Sequence, residues 1–298
     1  MKATTISPGT GKAYGVERVC ATWEMPRSTV YARRARQARP VLTLLKRGPK
    51  PKMADLELLG HIRKDLEASP FKGEGHRKVW ARLRVLGGIR VSRMRILGLM
   101  RQHKLLSPHR GRQGTPQPHD GVITTQEPNL MWGTDGARIL TVEEGWVWLF
   151  TAVEHWNAEC VGWHVCKLGD RYAAVQPVAM GLKALYGATA PDVARGLKLR
   201  MDHGTQYLSD HFLNQVRYWG IAPSFAFVQE PQTNGVVERF NRTIKEQVIH
   251  GRVFQNAEEV RQAVAAFVPR YNAEWLVEKL GFKSPSGARA AYRLKATG

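Results

Sequence analysis

Apolar residues recur along this chain in two rhythms, and the change from one to the other divides it. In the first third the spacing is helical. Val16, Val19 and Cys20 form one stripe and Trp23 and Met25 suit a turn. Pro26-Arg-Ser-Thr-Val then opens a second helix with Val30 facing inward, which predicts a helix-turn-helix over 14–36. Residues 37–52 carry Pro40, Gly48, Pro49 and Pro51 among cations and read as a linker. Leu56, Leu59, Ile62 and Leu66 make the next stripe, and Val79, Trp80, Leu83 and Leu86 the one after. Gly87-Gly88 interrupts the pattern, and Ser92 is placed to cap a short basic helix beginning Val91-Ser-Arg-Met-Arg-Ile-Leu. Residues 107–121 are rich in Pro and Gly, without periodicity, and read as a second linker.

Beyond residue 128 the rhythm becomes that of strands. Runs at 131–140, 146–154 and 160–167 are strand-like, with Thr141-Val-Glu-Glu-Gly turning the first into the second. A helix fits 170–186 with Ala173, Ala174, Val178 and Leu182 inward. A fourth strand at 197–202, a helix near 209–219 and a fifth strand from Ser224-Phe-Ala-Phe-Val follow, and helices resume at 234–250 and 256–272. Three strands and then alternating helix and strand predict an α/β fold, a mixed five-stranded sheet with flanking helices, preceded by all-α modules. The expected domains are a basic helix-turn-helix and linker over 1–52, a second helical unit over 53–106, a linker over 107–127, and a core with C-terminal helices over 128–298.

Charge sharpens this division. Residues 1–130 hold 26 Lys and Arg against 9 Asp and Glu, a net of +17, while residues 131–298 hold 19 against 16, a net of +3. A cationic excess so concentrated in the helical part fits a polyanion, and nucleic acid first of all. A capped, basic third helix is the element that enters a major groove, so Arg93, Arg95 and Arg101 are candidate DNA contacts, with Arg27, Arg33 and Arg34 on the earlier helix. Cys20, Cys160 and Cys166 have neither disulfide nor zinc spacing. There is no apolar run of bilayer length and no signal peptide, so no membrane partner and a cytoplasmic location are expected.

Three acidic residues bring in chemistry. Asp135 lies within an apolar strand pattern, Asp202 ends another, and Glu238 sits on the helix Asn234-Gly-Val-Val-Glu-Arg-Phe, with thirty-five residues between the last two. A carboxylate within a buried strand is costly unless it binds a metal or pairs with a cation. Three of them from two strands and a helix can converge on a pair of hard divalent cations, the arrangement used for phosphodiester chemistry. Taken singly, each has a plainer reading. Asp202-His-Gly suits a turn, Glu238 with Arg242 suits an exposed ion pair, and Asp135-Gly suits a loop. Arg242 and Lys245 share the helix face of Glu238, and Asn234 extends it, which makes these three candidate contacts to a phosphate backbone. His203 and Gln206, beside Asp202, are auxiliary candidates for orienting water or phosphate.

Trp132-Gly-Thr-Asp135, Asp202-His-Gly-Thr-Gln-Tyr-Leu-Ser and Asn234-Gly-Val-Val-Glu238-Arg-Phe, with their spacing, resemble the three acidic motifs of the DDE transposase and retroviral-integrase superfamily. Arg77-Lys-Val-Trp-Ala-Arg-Leu through Arg101-Gln-His-Lys-Leu-Leu resembles a helix-turn-helix region, and Tyr271-Asn-Ala-Glu-Trp with Leu280-Gly-Phe-Lys-Ser-Pro a C-terminal signature, of second-frame transposases of the bacterial insertion-sequence-three family. Gly136-Ala137 and Trp275 depart from the usual pattern. The resemblance covers nearly the whole chain. It implies a ribonuclease-H-like fold and a DNA transposase that binds element ends and carries out strand cleavage and strand transfer. Asp135, Asp202 and Glu238 would be the catalytic metal ligands, with two Mg²⁺ ions that Mn²⁺ can replace. It further implies double-stranded DNA as partner, a homo-oligomer on DNA, an upstream-frame protein as a candidate partner, and a place at the bacterial nucleoid. The rival readings are a ribonuclease-H-like nuclease that cuts and never joins, and an inactive DNA-binding regulator.

Overall fold

A computed structural model describes residues 4–38, 52–107, 125–225 and 234–297. Most of both expected linkers, and the end of the fifth strand's segment, lie outside the described residues. The chain forms two compact units, Met1–Ala54 and Asp55–Gly298.

The first unit has the expected hairpin, α1 (Gly15–Thr22) and α2 (Arg27–Ala38). Cys20 is its buried apolar side chain among the described residues. Arg27 reaches back to Glu17 at 3.1 Å, while Arg33 and Arg34 are exposed along α2.

The second unit begins with α3 (Asp55–Ala68), α4 (His76–Val85) and α5 (Arg93–Gln102). Leu58, Leu59, Ile62, Val79, Leu83, Ile96 and Met100 are buried, and the three helices that carry them contact one another. Leu56 and Leu86, assigned to the stripes from sequence, are instead exposed, at the first turn of α3 and just past the end of α4. Ser92 caps α5 as its position predicts, its hydroxyl accepting from the Arg95 N–H at 3.2 Å.

The core is a five-stranded mixed sheet in the order β3-β2-β1-β4-β5. β1 (Met131–Thr141), β2 (Gly145–Glu154) and β3 (Cys160–Cys166) form an antiparallel meander, and β4 (Lys198–Met201) and β5 (Ala222–Phe225) run parallel to β1. The 141–145 turn falls where expected. Alternate residues of each strand face two cores. Trp132, Phe150 and Leu199 pack against α6 (Arg171–Tyr186) and α8 (Asp210–Tyr218). Ile139, Leu149 and Val153 pack against α9 (Gly235–Ile244) and α10 (Ala257–Glu274). α6 lies so close to β3 that a Cβ on Gly162 would stand 1.9 Å from the Pro177 carbonyl oxygen.

Three details depart from the sequence reading. The helix expected over 234–250 ends as α9, and a wide π-type turn, Lys245–Ile249, follows, closed by the His250 N–H donating to the Lys245 carbonyl at 2.7 Å. A one-turn helix, α7 (Thr205–Leu208), follows Asp202. A last helix, α11 (Pro285–Thr297), was not expected. Its signal is present, since Ser284 accepts from the Gly287 N–H at 3.2 Å and Pro285 occupies the first turn, where a missing N–H costs nothing. Arg289 of α11 is buried among Glu159, Glu154 and Asn129, which ties that helix to the turn between β2 and β3.

The helical part of this unit is docked on the core. Phe71, between α3 and α4, belongs to the α9–α10 core and meets Trp275 edge-on at 5.0 Å. The backbone of Lys72 exchanges two hydrogen bonds with the Gln247 amide, at 2.9 and 2.8 Å. Among the described residues no helix is long and apolar enough to cross a membrane.

Candidate active site

Asp135 lies in the middle of β1 and Asp202 directly after β4. The ladder between these parallel strands pairs Met131 with Lys198, Trp132 with Leu199 and Gly133 with Arg200, a constant offset of 67 residues. Carried forward two places, that offset sets Asp202 beside Asp135, at the carboxyl end of β4 where sites of α/β sheets gather. Glu238 comes from the first turn of α9, which crosses the same face of the sheet. The crossing is close: a Cβ on Gly133 would stand 2.4 Å from Val237 and 2.7 Å from the Asn234 side-chain oxygen. Glycine at 133 therefore lets α9 approach β1 to the distance at which Glu238 and Asp135 interact.

The electrostatics follow from that placement. Burial pushes the Asp135 carboxyl up, and the negative charge of Asp202 adds to the rise. Hydrogen bonds from Asn241 and the Gly136 N–H, and the charge of Lys245, act in the opposite sense. Glu238 is raised by partial burial and then by Asp135, against Arg242. Asp135 is thus the shared neighbour of the other two carboxylates. Among the described residues, however, no three His, Cys, Asp or Glu side chains close into a metal-sized cluster. The donor set is all carboxylate oxygen and mutually repelling, which suits a hard divalent ion.

Two residues of this site carried no signal in the sequence reading. The Asn241 amide donates to Asp135 Oδ2 at 2.8 Å while its carbonyl oxygen accepts from the Thr151 hydroxyl at 3.0 Å. Thr151 is the cross-strand partner of Asp135, so one buried amide clamps both members of the pair. Tyr207 is fully buried, edge-on to Phe150 at 6.4 Å, and burial and then the charge of Asp135 push its phenol well above the ordinary tyrosine range.

The remaining candidates are placed unevenly. Arg242 is exposed one turn beyond Glu238, and Lys245 is half-buried at the start of the wide turn. Asn234 does not extend their exposed face, because it is 5% exposed and its amide donates to the Thr134 carbonyl at 3.3 Å. His203 stacks on Phe225 at 5.4 Å, and Gln206 folds back over Gly204. Arg101 is exposed on α5. Arg95 is held by Asp55 at 2.6 Å, and Arg93 stands 3.5 Å from Glu278.

Two domain families match this chain, an HTH-like domain over residues 55–113 and an integrase core domain over residues 219–285. Both matches lie in the second unit, and each covers less than half of the chain. Its relatives are transposases. It is 26% identical over 292 residues to the transposase for insertion sequence element IS629 of Shigella sonnei, covering 94% of this chain and 93% of that protein. It is 27% identical over 218 residues to transposase InsD of insertion element IS2 of Escherichia coli, 71% of each. Among solved structures, the HTLV-2 integrase catalytic core domain in complex with magnesium aligns over 54% of this chain and 96% of that chain, at 16% identity and a TM-score of 0.41.

Proposed function

We propose that this protein is a DDE-type DNA transposase that cleaves one strand at the ends of a mobile element and joins the freed 3′-hydroxyl to target DNA. The observation that carries the reading is the convergence on Asp135: Asp202 beside it through the β1–β4 register, and Glu238 against it from α9. Asp135, Asp202 and Glu238 would hold Mg²⁺. When bound, the cations supply Lewis-acid stabilisation of the charge that develops on the attacked phosphate and the leaving oxygen.

The protein's own residues do the rest. Asn241 and Thr151 fix the rotamer of Asp135, so that its free lone pairs face the site. Arg242 and Lys245 hold the phosphate backbone beside the carboxylates and draw negative charge toward them. In cleavage, water attacks phosphorus and the P–O3′ bond breaks, leaving a 5′-phosphate and a free 3′-hydroxyl; in joining, that hydroxyl attacks a target phosphorus and forms a new phosphodiester as the target's own 3′-oxygen leaves, and neither step requires a covalent enzyme intermediate. The helical modules, divided from the core near residues 107–127, bind element ends. Two ends must be held together, which calls for at least two protomers, and an upstream-frame protein is a candidate member of that assembly.

The test is an excision assay in cells. The coding frame is placed with its native flanks, and joined-end circles are counted for the wild type and for Glu238→Gln. Circles from the wild type alone are the expected result. Equal yields from both would remove Glu238 from the site. A purified protein that cuts a supplied end but never joins its 3′-hydroxyl would establish the nuclease reading instead.

A further inference from the structure

A second concavity lies between the α3–α5 part of the second unit and the core, with a volume of about 930 Å³. That is the size of an ordinary ligand pocket and far too small for a double helix. Its wall is both cationic and aromatic. Arg239 and Arg242 enter from α9, and neither side chain has an ion pair or hydrogen bond among the described residues. Lys279 closes another side, its ammonium donating to the His155 carbonyl at 2.7 Å. Arg77 lines the wall too and shares the single carboxylate of Glu278 with Arg93, two cations to one acid, so net positive charge remains there.

Trp156, Trp275 and Phe282 line the same space. So does the ring of His155, which is 3% exposed and has no hydrogen-bond partner on either nitrogen among the described residues. A buried polar ring left without partners at a cavity wall points to a ligand that supplies them. Unpaired cations interleaved with aromatic rings are what a single-stranded nucleic acid needs, because phosphates follow the charge and bases stack on the rings.

We infer that this cleft seats an unpaired DNA strand leaving the catalytic carboxylates, with Arg239, Arg242 and Lys279 on its phosphates and Trp156 and Trp275 against its bases. Continuity with the site comes through Arg242, which stands one turn beyond Glu238 and also lines the cleft. The inference rests on DNA being the substrate, as proposed above. The small volume then selects an unpaired segment over a duplex, and it gives the docked helical part a role in holding the strand beside its own end.

The experiment uses the full chain and an oligothymidine of about eight nucleotides bearing 5-iodouracil, with a duplex of the same length as comparison. Irradiation should join the single strand to peptides containing Trp156, Trp275 or Phe282. In anisotropy titrations, Arg239→Gln with Lys279→Gln should weaken single-strand binding about tenfold and flatten its salt dependence by about 0.7 in log–log slope per cation removed. Arg239→Lys should recover most of the affinity, which a folding defect would not allow. Crosslinks confined to α2 or α5, unchanged affinity in the double variant, or equal displacement by oligoglutamate, which would make the cleft a protein-docking site, would each overturn the inference. Asp135→Asn separates the two proposals. Loss of cleavage with no crosslink in the cleft retires the cleft alone, and cleavage that survives with the crosslink intact retires the carboxylate site alone.

Discussion

At the scale of single residues, the site is held by side chains that do no chemistry themselves. Asn241 touches Asp135 and Thr151 and is 5% exposed, so its amide is committed to orientation. Asn241→Leu keeps the volume and removes both hydrogen bonds. Activity should fall about 10–100-fold, with the larger part of the loss in the Mg²⁺ concentration needed for half-maximal rate. A drop in maximal rate at unchanged metal requirement would show that Asn241 acts elsewhere. His155 carries a different consequence. Burial, then the charges of Lys279 and Arg200, lower its pKa to about 4. The ring stays neutral in the fold but takes up a proton in the unfolded chain below about 6.5. Its stabilising share is therefore complete above about pH 6.5 and is lost as the pH falls toward 4, a change of about 3 kcal/mol. Denaturant titrations across that range should show the wild type losing this much more than His155→Gln. Asp135, Asp202 and Glu238 stood out as candidates in the sequence because acids in apolar patterns are rare and their motifs resemble those of a known superfamily. Asn241 could not, since an amide beside Arg242 looks like any solvated helix position until Thr151 and Asp135 arrive from another part of the chain.

At the scale of elements, period and punctuation were enough for most of the fold. The three strands of the meander, the 141–145 turn and the Ser92 cap are all local in origin, and the structure has them. α7 and α11 escaped because neither has a long apolar stripe. α7 is four residues, and the buried anchor of α11 is the charged Arg289, which no hydrophobicity pattern can flag. Closeness between elements is also invisible locally. Gly162 looks like an ordinary weak point in a strand, yet α6 rests on it directly, through the backbone of Pro177 and Gly181. Gly162→Ala must push α6 away from β3, and the expected loss is about 1–3 kcal/mol, read as a lowered unfolding midpoint in denaturant. A midpoint unchanged within error would mean that the two elements are not packed as described.

At the scale of the whole molecule, the unevenness of charge matters more than its total. The helical portion carries most of the excess, but part of that excess is already engaged: Arg95 by Asp55, and Arg77 and Arg93 by the one carboxylate of Glu278. Counting cations in the sequence therefore overstates what is free to meet DNA. Glu278→Gln should release Arg77 and Arg93 and raise duplex affinity several-fold at low salt, with a steeper dependence of binding on salt concentration. An affinity that does not move would mean that these arginines face away from the bound duplex.

The wide turn at Lys245–Ile249 has a consequence for comparing this chain with others. It spends one residue more than an ordinary helical turn, so its later residues, Gln247 among them, face up to about 100° away from where an unbroken α-helix would place them. A related chain one residue shorter at this point could present the same faces by ending α9 in a plain helical turn. The natural place for a gap in such an alignment is within that closing turn, between Lys245 and Ile249, and not in the segment before α10. Placed wrongly, the gap would pair Gln247, whose amide brackets the backbone of Lys72, with a neighbour that faces another way.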